Sequence, residues 1–202
     1  MNAAHSAVLF AGQKVDSIVD SQIADIHNYK LLILPEITHI SAENLVDIER
    51  FVQNGGKIVG FGENLLAFDD YDNPNDSARV AKILKDASIY PSVDKELTVA
   101  SWYQFCDNVS NEIKSCGLMN VEVVDAETGA PVHEVEWQCA EYNGKLLVNL
   151  CSYTWDVVKN VKIIVNGNVV TGGTELINGE AVGDSVKLLE YTPKLIEIGS
   201  AL

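Results

Sequence analysis

Apolar positions change their spacing once along this chain: up to about residue 118 they come in short runs or at helical intervals, and after it they alternate. The best-marked unit is Lys30 to Gly62. Leu31, Leu32, Ile33 and Leu34 form an apolar run stopped by Pro35, as in a parallel strand buried on both faces. Ser41 stands where a helix cap is wanted, with Glu43 in the first turn and Arg50 near the end, charges that suit the helix dipole. Leu45, Ile48, Phe51 and Val52 fall on one helical face, Asn54-Gly55-Gly56 supplies the stop, and Lys57 to Phe61 begins a second strand. A crossover of this length makes the two strands parallel with the helix packed on the sheet. Any ligand crevice then lies beyond the carboxyl ends of the strands.

Around this unit the pattern is less regular. Residues 1 to 12 read as the end of a helix, Lys14 to Val19 as a strand, and Glu63 to Phe68 and Asp76 to Asp86 as helices separated by the polar, turn-rich FDDYDNPND. Thr98 to Phe105 is ambiguous, while Phe105, Val109, Ile113 and Leu118 fit an amphipathic helix closed by Gly117. No strand precedes the first helix, so the α/β layer is expected to lack its opening strand. From Asn120 onward, Val135, Trp137 and Cys139 alternate with Glu136 and Gln138, and Asn143-Gly144 suits a two-residue hairpin turn. That turn pairs Trp137 with Leu150 and Cys139 with Val148, giving one apolar face throughout. Asn166-Gly167 and Asn178-Gly179 repeat the turn signal, and short strands joined by tight turns predict an antiparallel sandwich.

The run from Tyr29 through Glu63, with LLILPE, a Ser-capped helix and FVQNGGKIV, resembles the glutamine-amidotransferase-like module of glycoside hydrolases related to the family 42 β-galactosidases, where it is called the trimerisation domain. VEWQ with LVNL, and ELINGE followed by VKL, resemble the antiparallel β domain that closes many such enzymes. The resemblance implies an amidotransferase-like (flavodoxin-like) parallel sheet with helices, followed by an antiparallel β-sandwich. It also implies a homo-oligomer formed through the α/β part, and a catalytic (β/α)8 barrel lying upstream.

Composition narrows the partners. With 14 basic against 29 acidic residues and a net charge of −15, the chain lacks the lysines and arginines that phosphate binding needs, so no nucleic acid is expected. No apolar stretch approaches the roughly 20 residues of a membrane span, and the N-terminus lacks a basic segment before its apolar run; the expected location is the cytoplasm, unless an export signal lies on an upstream segment. Cys106, Cys116, Cys139 and Cys151 show no zinc-site spacing and are expected to be free thiols, with neither metal nor cofactor. The sequons at Asn75 and Asn108 carry no weight without a secretory route.

The chemistry-bearing residues are few. Glu36 and His39 follow the first strand of the crossover and Glu63 follows the second, so all three are expected at the carboxyl edge of the sheet, where two carboxylates and a His could support acid-base work. The plainer alternative is that Glu36 and Glu63 cap neighbouring helices and His39 is solvated in a loop. Glutaminase chemistry needs a nucleophilic Cys on a sharp turn after a strand, whereas KIVGF is followed by Gly62-Glu63-Asn64. No G-x-S-x-G, HExxH or P-loop is present. Glycosidases use two carboxylates flanking the sugar bond, on a barrel of around 250 residues in the resembling family, longer than this chain. Trp102, Trp137 and Trp155 carry faces on which a sugar could stack; the hairpin register places Trp137 in the core, which leaves Trp155, just after a strand, as the better candidate.

The expected organisation is an α/β domain over residues 1 to 118 and a β-sandwich over 119 to 202. The leading function is a non-catalytic accessory and oligomerisation region of a glycoside hydrolase, with no catalytic residue of its own and ligand contacts at Glu36, His39, Glu63 or Trp155. The alternatives are a stand-alone carbohydrate-binding module and an enzyme with an unrecognised site at the sheet edge.

Overall fold

The computed structural model describes residues 2–92 and 98–199. It divides into two compact units, Asp16–Phe105 with the residues up to Ala4, and His5–Val15 with Cys106 onward.

The described chain opens with α1 (Asn2–Phe10), and in the first unit β1 (Leu31–Pro35), α2 (Ala42–Gln53) and β2 (Lys57–Phe61) form the expected crossover. The two strands are parallel, in the register Leu31 to Lys57 through Pro35 to Phe61. Ser41 Oγ accepts the Asn44 N–H at 3.1 Å, and Gly55 ends the helix at φ 90°, a value only glycine takes without strain. Leu45, Ile48 and Phe51 are buried with Leu34, Ile40 and Ile58 in one apolar cluster, and Val52 packs on its margin. A third parallel strand, β3 (Ser88–Tyr90), joins β2 and gives the order β1-β2-β3. Three residues without an apolar run offer no period to detect. Between β2 and β3 lies α3 (Ser77–Ile83), whose cap Asp76 accepts the N–H groups of Ala78 and Arg79.

Two expectations for this part of the chain fail. Lys14 to Val19 is irregular, not a strand, and a 3-10 segment, Asp20–Asn28, follows it. Val15, Ile18 and Val19 never alternated, and Ile18, Ile23 and Ile26 join the same cluster as α2, the last two at the three-residue repeat of a 3-10 turn. Glu63 to Phe68 is a sequence of turns, not a helix, because Asn64 and Leu66 take left-handed backbone at φ 55° and 58°. Its backbone instead pairs with the segment after β1: Leu66 N–H donates to Ile37, Phe68 N–H to Thr38 and Ile40 N–H to Phe68. The Asn75 amide donates to the carbonyls of Leu66 and Ile40, which seals this pairing and buries Leu65 and Leu66.

The helix expected around Phe105 is α4 (Val99–Ser115), ended by Gly117 at φ 64°. Phe105 lies against Phe61, ring centroids 4.5 Å apart. From Cys106 the chain belongs to the second unit, built from two antiparallel sheets. One runs β10 (Glu180–Val182), β9 (Gly173–Glu175), β12 (Lys194–Ile198), β6 (Lys145–Ser152), β5 (Val135–Tyr142); the other runs β11 (Val186–Leu188), β7 (Lys159–Val165), β4 (Val121–Asp125), with β8 (Asn168–Val169) paired to β7. Their inner faces share one core, with Val123, Ile163 and Leu188 from one sheet meeting Trp137, Val148, Leu150 and Ile196 from the other. Trp137 pairs with Leu150 and Cys139 with Val148, the register the Asn-Gly turn dictates, with Asn143 and Gly144 both at positive φ. Asn166 and Gly167 repeat this geometry between β7 and β8.

Candidate functional site

The carboxyl edge of the three-stranded sheet is built by backbone. Pro35 pairs with Phe61 and Phe61 with Tyr90. One residue further, Glu36 N–H donates to the Phe61 carbonyl at 2.9 Å and Gly62 N–H to the Tyr90 carbonyl at 3.0 Å. Glu36 takes left-handed backbone at φ 56°, which ends β1. A Cβ at Gly62, itself at φ 97°, would stand 3.1 Å from Glu36 Cγ, so the glycine makes room for that side chain. Glu36 and Glu63 are both exposed.

His39 is held elsewhere. Its Nε2 lies 2.9 Å from Asp72 Oδ1 and its Nδ1 2.9 Å from Thr38 Oγ1, and its ring stacks on Phe68 with centroids 5.4 Å apart. The loop that presents Asp72 is fixed by Asp69, which accepts from the Asn73 amide and from the N–H groups of Asn73 and Tyr71; these donors, the Asn73 side chain first, hold its carboxyl below the ordinary value. Acid-base catalysis needs donor and acceptor groups that reach one reacting atom. The hydrogen bonds of His39 go to Thr38 and Asp72 and to neither glutamate. The three described strands of this sheet run in the order β1-β2-β3 without reversal, so no switch point, where open α/β sheets form their crevices, falls among them.

The three tryptophans occupy three different settings. Trp137, in the second unit, is 5% exposed in the core. Trp155, in the same unit, is 77% exposed, beyond the end of β6, with Tyr191 edge-on at 6.5 Å. Trp102, on the α4 turns that belong to the first unit, is half-buried and stacked on Phe105. Near the β7–β8 hairpin an open groove of about 610 Å³ is lined by residues such as Asn166, Thr171, Gly173 and Ile198, with no titratable side chain.

Two polar features were invisible in the sequence. His133 Nε2 lies 2.9 Å from Asp107, tying α4 to the segment before β5. Glu175, 2% exposed, accepts N–H groups from Ile177, Asn178 and Leu195, with the Lys194 ammonium 3.8 Å away. Burial pushes its carboxyl up, but these three donors and the ammonium outweigh burial and hold it below the ordinary value. The only prior hint was a Glu at the mouth of an Asn-Gly turn. All four cysteines are free; burial, with Asp107 adding to it at Cys106, pushes the thiols of Cys106 and Cys139 up to about 12. Among the described residues no cluster of His, Cys, Asp and Glu is placed to hold a metal ion, and no helix is long and apolar enough to cross a membrane.

Sequence comparison finds no matching family model and no similar curated protein. Solved structures do share the fold. An apo exo-carrageenase of glycoside hydrolase family 42 from Bacteroides ovatus superposes with a TM-score of 0.69 at 12% identity, over 98% of this chain and 26% of its own. A catalytic mutant of a family 42 β-galactosidase from G. stearothermophilus gives 0.63 at 14% identity, over 97% and 35%. A β-galactosidase from Bacillus circulans sp. alkalophilus gives 0.62 at 11%, over 98% and 37%. This chain thus spans between about a quarter and two-fifths of the length of these enzymes. At such identities the likeness is one of fold.

Proposed function

We propose that this chain is the accessory, assembly-forming C-terminal region of a glycoside hydrolase, or a relative descended from one, with no catalytic centre of its own. The observation that carries the reading is coverage: nearly the whole chain superposes on about a quarter to two-fifths of a carrageenase and of two β-galactosidases. In this reading the first unit is an amidotransferase-like, flavodoxin-like module and the second a closing β domain, and the catalytic carboxylates belong to a barrel encoded upstream. The first unit is the part through which copies associate. No described strand lies along the outer edge of β1, and an unpaired sheet edge calls for cover by another chain or domain.

The enzymatic alternative rests on Glu36, His39 and Glu63. A panel of chromogenic glycosides and a glutaminase assay separate the two readings. The expected result is no turnover; turnover abolished by Glu36→Gln or Glu63→Gln would overturn the non-catalytic reading.

A further inference from the structure

Three aromatic side chains meet at the surface of the second unit. Tyr153 and Trp155 follow β6, and Tyr191 precedes β12. They are 43%, 77% and 54% exposed. A single exposed ring is ordinary; three joined through one shared neighbour make a contiguous exposed patch of the kind that marks a binding surface. Tyr191 is the hub, edge-on to Tyr153 at 5.9 Å and 75° and to Trp155 at 6.5 Å and 71°. In an edge-to-face pair the edge of one ring covers part of the other's face, but at 77% exposure most of the Trp155 indole stays open to solvent.

The surface is preformed. Tyr191 N–H donates to the Ser152 carbonyl at 2.9 Å and Tyr153 N–H to the Glu134 carbonyl at 2.8 Å. The Tyr153 hydroxyl donates to Glu136 Oε2 at 3.1 Å, and Asp156 N–H donates to Glu190 Oε2 at 2.9 Å. Tyr191 and Asp156 both take left-handed backbone, at φ 47° and 51°, a conformation rare for a bulky side chain and kept where the surroundings impose it. Ring positions fixed in advance spare a ligand the entropy of ordering them.

We propose that Tyr153, Trp155 and Tyr191 form a binding platform for a neutral saccharide. A pyranose ring presents a face of C–H bonds that complements the negative face of an indole, and it surrounds that face with hydroxyl groups that need acceptors. The carboxylate of Glu136, which accepts from the Tyr153 hydroxyl, and that of Glu190, next to Tyr191 in the chain and accepting the Asp156 N–H, supply them. The same carboxylates, on a chain of net charge −15, repel sulfated or uronic sugars. A protein partner is the poorer match, although Val157, Val158 and Leu189 are also exposed nearby in the sequence, because the centre of a protein interface is depleted of Asp and Glu. The platform belongs to the second unit and does not depend on assembly through the first.

The test titrates the full chain with cellobiose, galactobiose and maltotriose, and with a sulfated carrageenan oligosaccharide, by calorimetry and tryptophan fluorescence. At least one neutral sugar should bind and quench or shift the emission. Trp155→Ala should weaken it at least about tenfold, the loss expected for removal of a central ring contact, with the melting curve unchanged; Trp155→Phe should retain most of it and Tyr191→Ala should weaken it. Absence of binding by every neutral sugar overturns the proposal, and so does equal binding by parent and Trp155→Ala. A sulfated sugar bound as tightly at low salt as its neutral counterpart also overturns it. If light scattering shows that Trp155→Ala abolishes self-association, the rings are covered by a second copy and the saccharide platform is wrong.

Discussion

Replacing Trp137 probes the sandwich core and its contact with the N-terminal segment together. The ring is nearly fully buried, opposite Leu150 on the neighbouring strand, and a Cβ at Gly12 would overlap its six-membered ring. Trp137→Ala should cost about 3–5 kcal/mol, as for other large aromatic side chains removed from cores. Gly12 sits at φ 69°, so Gly12→Ala should cost about 1–2 kcal/mol for left-handed backbone. Overlap with the indole adds about 1–3 kcal/mol, the usual range for overpacking. Once the indole is gone the overlap disappears and only the backbone cost remains. The double mutant should therefore be more stable than the sum of the single losses implies, by a coupling of about 1–3 kcal/mol. Urea unfolding of the parent, both single mutants and the double mutant, followed by far-UV circular dichroism, measures this. Gly12→Ala costing the same in both backgrounds would refute the packing of Trp137 on residue 12. Trp137→Ala melting like the parent would refute the core placement.

Ser41→Ala should cost about 1 kcal/mol, because it removes the acceptor at the start of α2, while Ser41→Asp should restore most of the loss; thermal unfolding of the two variants checks it. Glu175 should make the fold acid-sensitive. Its folded carboxyl lies below the ordinary value, so its stabilisation is fully present above the unfolded pKa of about 4.3 and is lost as the pH falls through the lower folded value. Glu175→Gln should accordingly lower the melting temperature more at pH 7 than in acid, and an equal loss at both would show that the charge contributes nothing.

The crossover from Lys30 to Gly62 was legible because each of its boundaries carries its own chemical mark: a Pro stop, a Ser cap and a Gly-Gly exit. The hairpins were legible for the same reason, since an Asn-Gly turn with both residues at positive φ sets the register of every pair behind it. What failed was structure stabilised by partners remote in sequence. Glu63 to Phe68 looked helical by composition, yet its backbone is satisfied by residues 37 to 40 and by the Asn75 amide. β3 exists only because β2 offers it a ladder. At the candidate sites, the exposure of Trp155 followed from its place after a strand. Its hub, Tyr191, and the tie from Glu190 to Asp156 lie far along the chain and left no local signal. His39 illustrates the same limit, since Asp72, which holds it, sits in a loop that read only as polar.

Association state tests the assembly-forming role most directly. Light scattering on the full chain, over low to high micromolar concentration at physiological salt, should show a homo-oligomer. The acidic surface does not oppose this, because at that salt charges are screened beyond about 8 Å. A full chain that stays strictly monomeric at high micromolar concentration would contradict the assembly role.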